Sequence, residues 1–118
     1  MTQARQTLGK RGEDLACREL ERRGYAIVAR RFRVRSGELD IVARDGATLV
    51  FVEVKARARA DDAAEAVTGR GKQRIVAAAE LWLSRNPADA QSDIRFDVIL
   101  VMPGKIPHHI PNAFDASR

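Results

Sequence analysis

Three acidic residues and one lysine interrupt two apolar stretches near the middle of the chain. Glu38 and Asp40 lie in the first stretch, and Glu53 and Lys55 lie in the second. Charged side chains among Val, Ile, Leu and Phe are costly to bury unless they stay at an edge, pair with each other or hold a cation. Mg²⁺ and Mn²⁺ prefer carboxylate oxygens, and the ammonium of Lys55 is near enough to reach whatever the cation binds. The residue types therefore favour a divalent-metal site.

The two stretches are predicted to be neighbouring strands of a hairpin. Asp45-Gly46 lies between them, and this dipeptide is favoured in two-residue loops because both positions can adopt positive φ. In that register Asp40 lies opposite Phe51, and Glu38 lies opposite Glu53. Because side chains alternate between the faces of a strand, all four charged residues then project from one face.

A loop one residue longer would remove this cluster. Asp40 would then lie opposite Val52 and project from the other face. With the shorter loop, Asp40 is a diagonal neighbour of Glu53, close enough for the two carboxylates to share one cation. The hairpin register therefore decides whether a metal site can form.

Length and composition indicate a single soluble domain over residues 1–118. The chain has 118 residues, of which 45% are hydrophobic and 31% are charged, so one core and little disorder are expected. Cys17 is the one cysteine in the sequence, which excludes an internal disulfide and fits a reducing compartment. No signal segment or membrane span is recognisable, so the expected location is the cytoplasm, without membrane contact.

Positive charge is concentrated in the amino-terminal third of the chain. The formal net charge is +5, and residues 1–36 contain ten Lys or Arg against four Asp or Glu. A basic segment of this kind suits a polyanion such as nucleic acid. Its densest part, Arg30 to Arg35, is equally consistent with a solvated sheet edge that resists association and with a rim that contacts phosphates.

Periodicity and turn residues predict the elements that position these groups. The predicted order is helix 6–23, strand 25–33, the hairpin, loop 56–66, helix 68–85, strand 94–102 and an extended segment over 106–110. Gly24 is the expected stop of the first helix. The core-facing side of that helix is predicted to consist of Leu8, Leu15, Ala16 and Leu20, with Cys17 near the polar side.

Three aromatic or charged positions outside the hairpin have structural interpretations. Trp82 on the second predicted helix favours core packing over base stacking. His108 and His109 are adjacent on an extended segment, so they point to opposite faces and are not expected to chelate one ion. Asp97 is consistent either with an extension of the acidic cluster or with a cap at the sheet edge.

Several short segments together resemble a known protein family. They are Gly12-Glu13-Asp14-Leu15-Ala16, Gly37-Glu38-Leu39-Asp40, Phe51-Val52-Glu53-Val54-Lys55, Lys72-Gln73, Arg95-Phe96-Asp97-Val98 and Asn112-Ala113-Phe114. A helical Glu, an Asp on the second strand and Glu-x-Lys on the third resemble the restriction-endonuclease-like PD-(D/E)xK nuclease superfamily. The segments are more closely similar to the bacterial YraN family, whose relatives include archaeal Holliday-junction resolvases. Two positions depart from that family's pattern: Arg31, where Asn is frequent, and Ala56, where Thr is frequent.

The resemblance implies an α/β fold with a restriction-endonuclease-like αβββαβ core, in which a central mixed sheet is flanked by two helices. It also implies a metal-dependent DNA endonuclease that hydrolyses phosphodiester bonds, with branched or junction DNA among its candidate substrates. Asp40, Glu53 and Glu13 would hold Mg²⁺ or Mn²⁺. Lys55 would be the catalytic lysine, with Gln73 as a further member of the catalytic set.

DNA is the partner that charge and resemblance predict, and a homodimer follows if the similarity to resolvases extends to paired cuts. The residues predicted to contact nucleic acid are Arg11, Arg31, Arg33, Arg35, Arg57 and Lys72. One alternative is a nucleic-acid-binding module on the same fold with little or no hydrolytic activity. Another is a scaffold in which Glu53 and Lys55 form only an ion pair. Glu38 is expected to be a salt-bridge partner in the hairpin more than a metal ligand.

Overall fold

The computed structural model of the protein describes residues 2–56 and 69–114. The helices and strands within these residues are α1 (Thr2–Arg22), β1 (Ala26–Val34), β2 (Gly37–Asp45), β3 (Thr48–Ala56), α2 (Gly69–Arg85), β4 (Ile94–Val101) and β5 (His108–Phe114), with a 3₁₀ turn at Pro87–Asp89. Their order is the predicted one, although α1 begins earlier and β5 extends further than expected. The predicted loop over 56–66 lies, beyond its first residue, outside the described residues.

The described strands form one sheet in the order β1-β2-β3-β4-β5. β3 and β4 run parallel, whereas the other neighbouring pairs are antiparallel. Parallel neighbours require a crossover connection, and α2 lies in the connection between β3 and β4. The fold is therefore a mixed α/β arrangement with a five-stranded mixed sheet and two helices in the part of the chain that the structure describes.

Each helix covers one face of the sheet. Ala16 and Leu20 of α1 pack in one buried cluster with Val52, while Ala78 of α2 packs in another with Phe51. Because side chains alternate along β3, adjacent residues of this strand serve the two cores. Neither of the described helices is long and apolar enough to cross a membrane.

Helix α1 is rotated relative to its predicted core-facing side. Ala16 and Leu20 are buried as expected, but Leu15 is 41% exposed and Cys17 is buried, so these two assignments were wrong. Small side chains at positions 16 and 17 let the helix approach the sheet closely, which a face centred on Leu15 would not allow. The side chain of Leu8 lies outside the described part of the structure.

The rotation buries two acids of α1, and both are paired with arginines. Glu19 accepts hydrogen bonds from Arg22 and Arg23 at 2.8–2.9 Å, and these bonds lower the pKa of Glu19 to about 2. Glu13, the other acid, is paired with a strand arginine described below. Pairing is what permits these charges on the buried side of a helix.

The end of α1 follows the predicted glycine stop. Gly24 has φ 90, and the N–H groups of Gly24 and Tyr25 donate to the carbonyls of Glu21 and Leu20 at 3.0 and 2.9 Å. This is the bond pattern of a Schellman motif, which requires a left-handed residue after the helix. It directs the chain from α1 into the edge strand β1.

Helix α2 approaches β2 more closely than a side chain would permit. A Cβ atom at Gly37 would lie 1.9 Å from the carbonyl oxygen of Arg74. Glycine at the first residue of β2 therefore sets the contact between the two backbones. This contact holds α2 against the strand that carries Asp40.

Trp82 packs in the core on the α2 side, as predicted. It is 8% exposed, and its ring meets that of Phe32 edge to face with centroids 5.2 Å apart. Its Nε1 donates to Asp89 at 3.3 Å, and Asp89 also forms a salt bridge with Arg44. The indole is thus fully engaged in packing and hydrogen bonding.

Candidate functional site

The hairpin between β2 and β3 turns one residue later than predicted. Asp45 pairs with Thr48, so the two-residue loop is Gly46-Ala47. Gly46 has φ 61, and the second loop residue has no positive φ, as in a type II′ turn with glycine in the first position. The predicted loop would require positive φ at both Asp45 and Gly46, whereas the observed turn requires it at Gly46 alone. The true register is therefore shifted by two residues.

The shift in register changes the neighbours that were predicted for Asp40 and Glu38. Phe51 pairs with Val42 and not with Asp40, which corrects the first predicted pairing. The second was also wrong, because Glu38 pairs with β1 and no longer lies opposite Glu53. The register shift alone does not position Asp40, because Leu39 and Val42 both belong to the α2 cluster while Ile41 belongs to the α1 cluster, so side-chain alternation is interrupted next to Asp40. Asp40 nevertheless lies beside Glu53, whose negative charge raises the pKa of Asp40.

Strands β2 and β3 separate at Asp40. Ile41 and Val52 form the last pair of their ladder, and beyond it Oδ2 of Asp40 accepts a hydrogen bond from the backbone N–H of Val54 at 2.8 Å. The carboxylate thus satisfies a donor that would otherwise need a backbone carbonyl. This bond fixes Asp40 against β3.

The carboxyl group of Asp40 binds its proton unusually strongly. Burial and the negative charge of Glu53 raise the pKa of Asp40 from 3.8 to about 7, against the opposing effect of the hydrogen bond from Val54. Glu13 and Glu38 raise this pKa by smaller amounts. Carboxylates that share a partly buried site repel each other, so one of them retains its proton unless a cation compensates the charge.

Glu53 and Lys55 form an ion pair near the end of β3. Nζ of Lys55 lies 3.1 Å from Oε1 of Glu53. The side chain of Lys55 is 34% exposed and that of Glu53 is 12% exposed. Glu53 pairs in register with Val98, a member of the α2 cluster, and therefore projects from the α2 face. The Glu-x-Lys spacing places a carboxylate and an ammonium together at a partly open position.

Glu13 on α1 lies close enough to Asp40 to raise its pKa, but it has a partner of its own. Nε of Arg31 donates to both carboxylate oxygens of Glu13, at 3.1 and 3.0 Å. Arg30 lies 3.9 Å from Glu13 and 2.8 Å from Asp14. The name acidic site is used below for Asp40, Glu53, Lys55 and Glu13.

Glu38 is a salt-bridge partner on the neighbouring strand. Its Oε2 lies 3.1 Å from Nε of Arg33, its register partner on β1. Both side chains are exposed. The geometry agrees with the interpretation of Glu38 as a pairing residue beside the site.

The predicted nucleic-acid contacts lie mainly along one edge of the sheet. Arg31, Arg33 and Arg35 are exposed on or directly after β1, which is an edge strand. Arg11 is exposed on α1, while Arg57 lies outside the described residues. A cationic edge thus borders the acidic site on the β1 side.

Two predicted residues lie near the start of α2. Gln73 is exposed, and its support of the site stays a prediction. Lys72 is partly buried, with its ammonium 5.7 Å from the centroid of the Phe114 ring. This cation–π contact gives Lys72 a packing role in addition to any contact with phosphate.

The donor set of the acidic site fits a divalent cation through two carboxylates. Asp40 and Glu53 offer oxygen ligands whose repulsion a cation would relieve. Within residues 2–56 and 69–114, no three His, Cys, Asp or Glu side chains are arranged to hold a metal ion. Glu13, the third predicted ligand, is held by Arg31.

A second charged cluster lies on the face of the sheet that α1 covers, opposite to the face from which Glu53 projects. Asp97 on β4 is fully buried. It accepts hydrogen bonds from Nε of Arg95 at 2.8 Å and from the backbone N–H of Asn112 at 2.9 Å. Nε2 of His109 lies 2.7 Å from its carboxylate. Arg95 also donates to the hydroxyl of Tyr25 at 2.5 Å. The name buried network is used below for Asp97, Arg95, His109 and Tyr25.

The buried network agrees with neither of the interpretations that the sequence leaves open for Asp97. Asp97 pairs in register with Val52, one residue before Glu53, so it projects from the face opposite to Glu53. It does not cap a sheet edge either, because β4 lies between β3 and β5. Burial raises the pKa of Asp97, but the hydrogen bonds of His109, Arg95 and Asn112 outweigh that effect and hold it below its ordinary value.

The sequence signal for this network was an Asp inside an apolar strand, which requires partners when buried. Except for Arg95, those partners are distant in the sequence. The adjacent histidines do point apart, since His108 is exposed and His109 is buried.

Comparison with known proteins assigns the chain to a family. The model of the family described as "Uncharacterised protein family UPF0102" matches residues 12–101, a range that contains every residue of the acidic site. A UPF0102 protein of Rhodopseudomonas palustris (strain ATCC BAA-98 / CGA009) is 57% identical over 109 residues, which cover 92% of this chain and 84% of that relative. A UPF0102 protein of Bradyrhizobium sp. (strain BTAi1 / ATCC BAA-1182) is 51% identical over 109 residues, with 92% and 80% covered. Because the family model and these relatives each match most of its length, the chain belongs to the UPF0102 family.

Proposed function

We propose that this protein is a metal-dependent endonuclease that hydrolyses phosphodiester bonds in DNA, with branched DNA among its substrates. The observation that carries the proposal is Asp40, a carboxyl group whose pKa is raised to about 7 by burial and by Glu53, while the ammonium of Lys55 lies 3.1 Å from Oε1 of Glu53. Strongly perturbed carboxylates of like charge are characteristic of functional sites. The α-β-β-β-α-β order of the described elements also supports the proposal, because it is the order that the resemblance to PD-(D/E)xK nucleases implies.

In this proposal Asp40 and Glu53 would hold Mg²⁺ or Mn²⁺, with Glu13 as a third carboxylate directly or through water. The bound cation would lower the pKa of a water molecule and offset charge on the scissile phosphate. Lys55 would orient that water or stabilise the charge that develops on the phosphate oxygens. The hydrogen bond from Val54 to Asp40 would keep the carboxylate in place as the ion binds.

A cleavage screen tests the proposal. Linear, flapped and four-way-junction DNAs are incubated with the protein, with and without Mn²⁺, and the products are resolved on denaturing gels. We expect Mn²⁺-dependent cleavage that falls at least about 100-fold in Glu53→Gln and Asp40→Asn. Glu38→Gln is the matched control, because it removes a carboxylate of the same hairpin that is paired with Arg33, and it should cleave like the wild type. Cleavage that persists in Asp40→Asn would end the proposal.

A second candidate is a DNA-binding module without hydrolysis. The observation that favours it is the pairing of Glu13 with Arg31, which leaves two carboxylates of the acidic site for a cation. Salt-sensitive DNA binding without cleavage of any substrate would support this alternative.

Sedimentation of the DNA complex would also test for the homodimer expected if two strands are cut symmetrically.

A further inference from the structure

Arg31 has a backbone conformation that is rare for its residue type. Its φ is 55, one of two positive values at non-glycine residues in the described part of the chain. It lies between the pairs Arg30–Ile41 and Phe32–Leu39 of β1 and β2, which places it beside Asp40. Left-handed backbone at a residue with a long side chain is strained, and such strain often accompanies a functional constraint.

This conformation brings the guanidinium of Arg31 to Glu13. One nitrogen, Nε, donates to both oxygens of the Glu13 carboxylate at 3.1 and 3.0 Å. The Glu13 side chain is 12% exposed, whereas that of Arg31 is 42% exposed. The contact therefore joins a mostly buried carboxylate to a guanidinium that is also open to solvent along the sheet edge.

Glu13 and Arg31 each have another possible binding partner in the proposed reaction. Arg31 lies beside Asp40 in the β1–β2 ladder and contacts the Glu13 carboxylate, so a cation at Asp40 would attract Glu13. Guanidinium groups bind phosphate as readily as carboxylate, with paired N–H donors. A cation would thus attract the carboxylate of this ion pair, and a nucleic-acid phosphate would bind its guanidinium.

We propose that Arg31 is an exchangeable partner of Glu13. In the protein without nucleic acid it holds Glu13 away from the cation, and when DNA binds, its guanidinium transfers to a backbone phosphate and releases Glu13 to the site. Arg31 is then a positioning residue that couples DNA binding to cation binding. The inference rests on the proposed nuclease function, and its tests measure binding and not cleavage.

The first test measures Mn²⁺ affinity by calorimetry in the absence of DNA. Arg31→Asn removes the guanidinium but keeps a residue that tolerates left-handed backbone. We expect it to bind Mn²⁺ about tenfold more tightly than the wild type, within the usual range of coupling between sites. Arg33→Asn is the control, because it removes the same charge from the same strand, where the guanidinium contacts Glu38, and it should change the affinity less than about twofold.

The second test measures DNA affinity by fluorescence anisotropy in EDTA, with a four-way junction as the probe. Glu13→Gln should free Arg31 and strengthen binding about fivefold, and it should have no such effect in the Arg31→Asn background. Equal effects in both backgrounds would overturn the inference, because Glu13 would then act only through its charge.

The outcomes separate this inference from the proposed function. If Arg31→Asn binds Mn²⁺ no more tightly than Arg33→Asn while the wild type cleaves DNA, the exchange is wrong and the nuclease proposal stands. If neither the wild type nor Arg31→Asn binds Mn²⁺ or cleaves DNA, both are overturned. Should Arg31→Asn fold poorly in thermal unfolding, Arg31→Gly, which adopts φ 55 freely, replaces it in the same assays.

Discussion

Asp40 and Asp97 lie on the two strands that flank β3, and their pKa values are displaced in opposite directions. Asp97 is the more deeply buried, but three donors surround it. Asp40 has one backbone donor and shares its surroundings with Glu53. Burial alone therefore does not distinguish a structural carboxylate from a functional one; the balance of donors and like charges does.

The same contrast distinguishes the stability roles of the two clusters. In the buried network the fold supplies partners for Asp97 and Arg95, although Nδ1 of His109 is buried without a hydrogen bond, so removal of one charged partner should be costly. In the acidic site the fold leaves negative charge partly uncompensated, which lowers stability and favours a ligand that can compensate it.

The largest effect is expected from Arg95→Met in the buried network. This change leaves the fully buried Asp97 without its guanidinium partner and should lower the unfolding free energy by about 3–5 kcal/mol. Lys55→Met in the acidic site removes a cation from a more exposed pair and should cost about 1 kcal/mol or less. Urea denaturation at pH 7 measures both values. Similar losses in the two variants would contradict the distinction drawn between the clusters.

Gly37→Ala tests the close contact between α2 and β2, the strand that carries Asp40. A Cβ at this position would lie 1.9 Å from the carbonyl oxygen of Arg74, so α2 must shift or the variant must lose about 2–3 kcal/mol of stability. Gly69→Ala, at the first residue of α2, is the matched control, because its added Cβ meets nothing within 4 Å. Chemical denaturation of the pair isolates the effect of the close contact. An unchanged Gly37→Ala variant would show that α2 does not depend on it.

Asp40→Asn is expected to stabilise the metal-free protein. The pKa of Asp40 is about 7 in the folded protein and 3.8 in the ordinary carboxyl group, so the native state binds more protons between these values and its stability falls as pH rises from about 4 to 7. The amide carries no charge, and the variant should therefore be more stable by about 2 kcal/mol at pH 8. Denaturation curves from pH 4 to pH 8 provide the test. At pH 4 the two proteins should unfold alike, and a stability gap that does not vary with pH would contradict the assignment.

A smaller effect with the opposite pH dependence is expected at Glu19. Its pKa is lowered from 4.5 to about 2 by Arg22 and Arg23, so its contribution is present above about pH 4.5 and is lost as pH falls toward 2. Glu19→Gln should cost about 1 kcal/mol at pH 7, because the two arginines are themselves largely exposed. Thermal unfolding at pH 7 and pH 2.5 checks the sign. The pKa of Glu19, like that of Asp97, would then be lowered by its partners in the folded protein, whereas that of Asp40 is raised.

Many of these features could be predicted from the sequence because they depend on local pattern. The turn and helix-stop glycines, the apolar strands and the Glu-x-Lys spacing predict the order of the elements and the convergence of Asp40, Glu53 and Lys55. Asp40 and Glu53 do lie together, but the predicted common face with Glu38 was wrong, because Leu39 and Val42 both pack in the α2 cluster and side-chain alternation is interrupted between them.

Only the tertiary structure decided which charge meets which partner. The choice between two glycine-containing turns moved Asp40 from Phe51 to Glu53, and the packing of α1 turned Cys17 inward. The pairing of Glu13 with Arg31 joins a helix to an edge strand through a left-handed residue that no local pattern indicates. Sequence periodicity specifies faces and ends, but the partners of a charge depend on how distant elements twist and pack, and those partners set the pKa values on which the chemistry depends.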